Sequence, residues 1–265
     1  MSHDPNNDWR ILTAVIYRKP NDSKIFGSVE IDVTELEQFV NQKRKSGLKI
    51  TLTHVFILAF SRAIAEAAPE INSFVRRGKI IQRKQVDVSL TVLEGNGQQL
   101  SSVKVLAAEQ LNLPQLAEYL QAAIKNARGG QEARITKTKN LIARIPWPLR
   151  QWLTDLIKWL TIDWGVSLPF LGVSPESFGT FVHSNLGSLG LDVGYPALAP
   201  FSNVAMVVTQ GGVSLKPAVV DGQVLPRRMI TIGAALDHRV VDAAHVGRMF
   251  NHLKKVLNHP EWLMQ

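Results

Sequence analysis

Residues 229–250 read MITIGAALDHRVVDAAHVGRMF, and this stretch decides the fold. It opens as a strand. Ile230, Ile232 and Ala234 alternate with Thr231, Gly233 and Ala235, the period of two that sends successive side chains to opposite faces. It ends as a helix whose apolar face is Val246, Met249, Phe250 and Leu253, spaced at three and four. The junction carries Asp237, His238, Arg239 and Asp242, four ionisable residues within six positions. A strand-to-helix turn holds such groups between two rigid elements, a placement that suits chemistry. The residue types alone leave the roles open. His238 is a general base, a structural residue or a solvated surface group. Asp242 is an N-cap for a helix starting at Ala243, whatever else it does. Arg239 pairs with either aspartate.

Working outward, DHRVVDAA at 237–244 resembles the Asp-His-Arg-x-x-Asp-Gly signature of the acyltransferase core of 2-oxoacid dehydrogenase complexes. HVGRMFNHL at 245–253 is similar to the matching helix of chloramphenicol acetyltransferase, which shares that fold. Further segments match in order: FGSVEIDVTELEQFVNQKR (26–44), ITLTHVFILAFSRAIAEAAPEINSFV (50–75), SNLGSLG (184–190) and KPAVVDGQVLPRRM (216–229). The resemblance implies an α/β fold, a chloramphenicol acetyltransferase-like two-layer sandwich with a mixed β-sheet and flanking helices. It implies acyl transfer between coenzyme A and a dihydrolipoyl-type thiol or another small acceptor. His238 is then the general base and Ser184 the donor to the tetrahedral oxyanion. Asp242, in the catalytic set, fixes the loop through an arginine, for which Arg10 is the best match. Arg239 and Asn185 support the site. Ala243 departs from the signature's glycine. It is harmless if that position has a negative φ and shifts the loop if φ must be positive. The resemblance also implies a homotrimer or a larger cage, with His238 and Ser184 contributed by different chains, and a lipoyl group on a separate carrier protein. The alternative is an inactive scaffold core that assembles without chemistry.

At 265 residues a single acyltransferase domain spanning 1–265 is the simplest reading, with a loose tail at 1–8 and neither a lipoyl nor a subunit-binding domain. There is no cysteine, which excludes disulfides, a thiolate nucleophile and thiolate metal ligands, and fits a reducing compartment. No metal is expected. The formal net charge of +8 suggests anionic partners. Zinc-ligand spacing, a basic-aromatic RNA motif and a P-loop are all missing, which sets nucleic acid aside. No stretch reaches the roughly 18 apolar residues of a membrane span. The expected location is cytoplasmic, with peripheral membrane attachment as a variant.

Local patterns give the remaining elements. Strands are expected over 25–33, 86–93, 100–105, 178–182 and 203–208, and helices over 34–45, 51–68 and 113–127. Hairpins are expected at Arg76-Arg77-Gly78-Lys79 and at Asp221-Gly222. Ser184 is expected in a glycine-bearing turn that Asn185 holds, with His183 and His54 structural. The apolar C-terminal residues Trp262, Leu263 and Met264 are candidates for a contact between trimers. The main departure from the resemblance is an insertion at 140–171, which holds four of the six tryptophans. As a helix it sets Leu149, Trp152, Leu153, Leu156, Ile157 and Leu160 on one face. That face packs on its own domain or a neighbouring subunit, or docks a membrane, a partner or an acyl chain.

Overall fold

The computed structural model describes residues 23–94, 99–126, 146, 149–198 and 202–265. The N-terminal tail, Arg10, the Gly-Asn-Gly turn at 95–97 and Gly129-Gly130 lie outside these residues.

Strand β1 (Lys24–Asp32) leads into helix α1 (Thr34–Lys45). The Asp32 carboxylate accepts hydrogen bonds from the backbone N–H and the hydroxyl of Thr34 at 2.9 and 2.6 Å, satisfying a donor that the first helical turn leaves open. Helix α2 (Leu52–Ala67) follows and stops before Pro69. Val55 to Ser61 are all buried, so this helix is apolar on every side and forms the centre of the core. Ser61, the polar residue in that run, returns its hydroxyl to the Ile57 carbonyl at 2.8 Å. A small separate hairpin, β2 (Ser73–Arg76) and β3 (Lys79–Gln82), turns through Arg77 and Gly78, both with positive φ.

The main sheet has seven strands. Its further members are β4 (Val88–Glu94), β5 (Gln99–Val105), β6 (Phe181–Asn185), β7 (Met206–Gln210), β8 (Ser214–Val220) and β9 (Gln223–Asp237). The order is β1-β9-β7-β6-β4-β5, with β8 also paired to β9. The β4–β6 and β6–β7 pairs are parallel and the others antiparallel, so the sheet is mixed. Helices α3 (Leu113–Asn126) and α5 (Ala243–Asn258) join α1 and α2 in flanking it. Met249 and Leu253 of α5 are fully buried against this core, and Val246 and Phe250 pack at its margin, as the period of three and four requires.

Three expectations need correction. Strand β6 runs from Phe181 to Asn185, so Ser184 sits in the strand and the turn starts at Leu186. The shift follows from pairing, since β6 gains parallel partners on both sides from Phe181 onward. Strand β7 likewise starts at Met206, three residues later than the sequence suggests. Leu263 is fully buried in its own chain, within a short 3-10 turn over Pro260–Met264. Arg62 clasps that turn by donating to the carbonyls of Trp262 and Gln265 at 2.7 and 2.9 Å. Of the three C-terminal candidates, Trp262 alone is largely exposed, its ring stacked on His259.

The insertion forms α4 (Leu149–Lys158) and continues as a π-helical turn, Trp159–Asp163. Leu149, Trp152, Trp159 and Trp164 are exposed, and the first buried side chain described there is Thr161. Of the apolar face predicted for this helix, Leu149 and Trp152 are exposed, while Leu153, Leu156, Ile157 and Leu160 are half-buried against their own chain.

Candidate active site

Strand β9 delivers its C-terminal end to a tight loop that carries His238. The backbone N–H groups of Val240 and Val241 return to the Asp237 carbonyl at 2.9 and 3.1 Å, closing the turn. The His238 backbone N–H donates to the Ser23 carbonyl at 2.8 Å, so the residue ahead of β1 holds the loop from the side. Asp237 is the loop's anchor. Its carboxylate accepts from the Arg239 guanidinium at 2.9, 3.1 and 2.6 Å, from the Arg239 backbone N–H at 3.0 Å and from the Ser23 hydroxyl at 3.1 Å. Burial alone would raise the Asp237 pKa, but the hydrogen bonds and charge of Arg239 outweigh it and hold the carboxyl below its usual range. Of the two aspartates open to Arg239, it takes Asp237.

The His238 ring is oriented by one bond. Nδ1 lies 3.0 Å from the Val241 carbonyl oxygen. A carbonyl only accepts, so Nδ1 carries the proton in the neutral ring and Nε2 keeps its lone pair. His238 is exposed, and Nε2 has no hydrogen-bond partner among the described residues.

Asp242 is the N-cap of α5. It accepts from the backbone N–H groups of Ala244 and His245 at 3.0 and 3.4 Å, and His245 Nδ1 accepts the Asp242 N–H at 3.1 Å in return. The slight desolvation of its carboxyl would raise the pKa, but the backbone bonds from His245 and Ala244 prevail and lower it. No arginine pairs with Asp242 among the described residues, and Arg10 lies outside them. Ala243 is the first residue of α5 and is not one of the positive-φ positions, so alanine meets no conformational penalty there.

Ser184 lies elsewhere on the sheet. It pairs with Thr91 of β4 and Thr209 of β7, Thr91 pairs with Ser102, and Thr209 with Gly233, which pairs with Ser28. One level of the sheet therefore carries a row of small residues across six strands, five of them hydroxyl-bearing and the sixth Gly233. Thr209 donates to the Gly194 carbonyl at 2.5 Å and Ser28 exchanges a hydrogen bond with Tyr195 at 3.0 Å, so the loop after β6 lies over this row. Gly233 permits that approach, because a Cβ there would stand 2.2 Å from the Gly194 oxygen. The Ser184 hydroxyl bonds to no described residue. Asn185 donates to Thr53 at 3.0 Å and accepts from the Ser188 N–H at 3.4 Å, tying the strand end to α2 and to the following turn. His183 points to the opposite face and is fully buried beside Phe60, with Nε2 3.1 Å from Gln210 and no partner for Nδ1.

Within one chain His238 and Ser184 do not meet. Ser184 is level with Gly233, five residues before His238. The offset is about 16 Å along the strands and about 10 Å across two strand spacings. Neither side chain bridges that gap. The Ser23 clamp and the hydroxyl row are site features that sequence reasoning missed. The first carries no sequence signal, and the second needs the strand register.

The family model for the 2-oxoacid dehydrogenases acyltransferase (catalytic domain) matches residues 21–136 and 174–265. The chain belongs to this family. The 2-oxoacid dehydrogenase acyltransferase match skips 137–173, which contains α4 and its π turn. The lipoamide acyltransferase component of the branched-chain alpha-keto acid dehydrogenase complex of Bacillus subtilis is 24% identical over 86% of this chain and 45% of its own length. The chain thus spans about half the length of the curated relatives it matches. Among solved structures, a probable dihydrolipoamide acetyltransferase from Listeria monocytogenes superposes with a TM-score of 0.67 at 19% identity, covering 98% of this chain and 95% of that one. The cubic core of the pyruvate dehydrogenase multienzyme complex gives 0.66 at 23%, covering 92% and 85%. Chloramphenicol acetyltransferase gives 0.51 at 11%, covering 89% of both chains, so the fold is the expected one. Among the described residues no cluster of three or more His, Asp or Glu could hold a metal, and no helix is long and apolar enough to cross a membrane.

Proposed function

We propose that the chain is a coenzyme A-dependent acyltransferase moving an acyl group between coenzyme A and a dihydrolipoyl-type thiol. The observation that carries this reading is the His238 ring, fixed through Nδ1 with Nε2 open, in a chain of this family. An acceptor thiol is a weak nucleophile while protonated. His238 Nε2 takes its proton as sulfur attacks the thioester carbonyl. The oxygen gains negative charge, and the unengaged Ser184 hydroxyl donates to it. Collapse of the tetrahedral intermediate breaks the bond to the coenzyme A sulfur, which recovers the proton from His238. Asp237, Arg239 and Ser23 hold the loop, and Asp242 starts the helix behind it.

The distance between His238 and Ser184 within a chain favours a site built between chains, in a trimer or a cage. An exposed apolar face on the β8–β9 hairpin, with Val219 opposite Val224 and Leu215 four residues before Val219 on the same face, is available for such assembly. A lipoyl group on a separate carrier is the acceptor proposed. Among the observations behind the scaffold alternative, Ala243 loses its weight, because the position is helical.

The test is acetyl transfer from acetyl-CoA to dihydrolipoamide, wild type against His238→Ala, read as thiol release. The expected result is activity in wild type and a loss of about 10²- to 10⁴-fold in the variant. Full activity in the variant refutes the assignment. Normal assembly with no coenzyme A binding favours the scaffold.

A further inference from the structure

The peptide unit between Val241 and Asp242 is held at both ends by a histidine ring. Its carbonyl oxygen lies 3.0 Å from His238 Nδ1, and its N–H donates to His245 Nδ1 at 3.1 Å. A carbonyl only accepts and an N–H only donates, so the two neutral rings take opposite tautomers. His238 carries its proton on Nδ1 and His245 on Nε2. The peptide unit is planar, so fixing its N–H also fixes the direction of its C=O.

His245 is itself held from behind. Its Nε2 faces Glu70 Oε1 at 3.7 Å, too far for a hydrogen bond but near enough for the carboxylate to favour a proton on that side. Glu70 stands in the 3-10 turn Pro69–Ile71. Arg248, three residues beyond His245 on α5, donates to Glu70 at 2.7 Å and to the Ala67 carbonyl at 3.1 Å. Partial burial would raise the Glu70 pKa, but a bond from its own backbone N–H and the bond and charge of Arg248 outweigh it and lower it. A cap of the same kind starts α2, where the Thr51 N–H donates to His54 Nδ1 at 3.2 Å. No hydrogen bond among the described residues joins Thr51 or His54 to the base loop, so that cap is a structural control.

We propose that His245 is a positioning residue that selects the tautomer of His238. By fixing the Val241–Asp242 peptide it aims the carbonyl that takes the Nδ1 proton. That leaves Nε2 with the lone pair that proton abstraction needs. The part of His245 in acyl transfer rests on His238 being the base; its hold on the ring does not.

The test is proton–nitrogen correlation of the histidine rings at pH 8, above the value of about 6.5 for free histidine, together with steady-state acetyl transfer to dihydrolipoamide. Wild type is expected to show His238 protonated on Nδ1 and His245 on Nε2. His245→Ala should move the His238 proton largely to Nε2 and lower kcat about tenfold or more with little change in KM. His245→Lys cannot accept the N–H and should do the same, which covers the case of an unfolded alanine protein. His245→Gln should restore both, because a glutamine at this helical position reaches back to the N-cap N–H. His54→Ala should leave the His238 ring as in wild type. An unchanged His238 tautomer in both the alanine and lysine variants, a shift that glutamine does not restore, or an equal shift in His54→Ala overturns the proposal. If wild type transfers no acyl group and the tautomer still shifts in the variants, the base role of His238 fails and the hold of His245 on the ring stands.

Discussion

His183 makes stability depend on pH between about 4 and 6.5. The ring is fully buried, and burial pushes its pKa down to about 4, a shift that the bond to Gln210 only partly offsets. In the unfolded chain the value returns to about 6.5. Between these two values the unfolded state binds more protons, so stability rises with pH. The contribution is therefore complete above about 6.5 and is lost as pH falls toward 4. At 1.36 kcal/mol per unit the loss from pH 7 to pH 4 is about 3 kcal/mol. Asp237, Asp32 and Asp87 sit below their usual range and act at lower pH. His54 is also pushed down by burial, to about 4, but keeps part of its surface in water and contributes less. The assay is urea unfolding of wild type and His183→Gln at half-unit steps from pH 4 to 7, at one protein concentration so that assembly is constant. Glutamine keeps a donor for Gln210 and does not titrate. The variant is expected to be weaker at pH 7 and to lose most of the slope between 4 and 6.5. An unchanged slope would refute the assignment of that window to His183.

Ser184→Ala should lower kcat about 10²- to 10³-fold with little change in KM, because the hydroxyl is needed only as charge develops on oxygen; steady-state kinetics with acetyl-CoA check this, and an equal rise in KM would point to ground-state binding instead. Leu263→Ala should cost about 2–5 kcal/mol, the range for emptying a fully buried leucine site, seen as a lower urea midpoint with unchanged m. A neutral result would mean that the C-terminal turn is undocked in solution.

The strand-to-helix junction was legible because two periods meet there, and the register bears the pattern out through Ile230, Ile232 and Ala234. The hairpins at Arg77-Gly78 and Asp221-Gly222 were also readable, since positive φ at both turn positions leaves local residue signatures. Strand β6 was displaced in the sequence reading because its limits come from parallel neighbours 90 residues upstream and 25 downstream, not from its own alternation. The row of hydroxyls around Ser184 was hidden for the same reason. Each serine or threonine is ordinary alone and becomes a feature only when the strands are set in register. Leu263 read as an outward contact because a C-terminal apolar triplet carries no mark of its partner. The clasp from Arg62, about 200 residues away, determines it.

The offset between His238 and Ser184 bears on how activity scales with protein. On the acyl-transfer reading, one polypeptide carries two halves of two different sites and a whole one of neither. Turnover is then a property of encounter, and specific activity falls on dilution through the dissociation range of the assembly, although every chain stays folded. Two dead proteins, one lacking His238 and the other Ser184, regain working sites when mixed, wherever an intact half from each comes face to face.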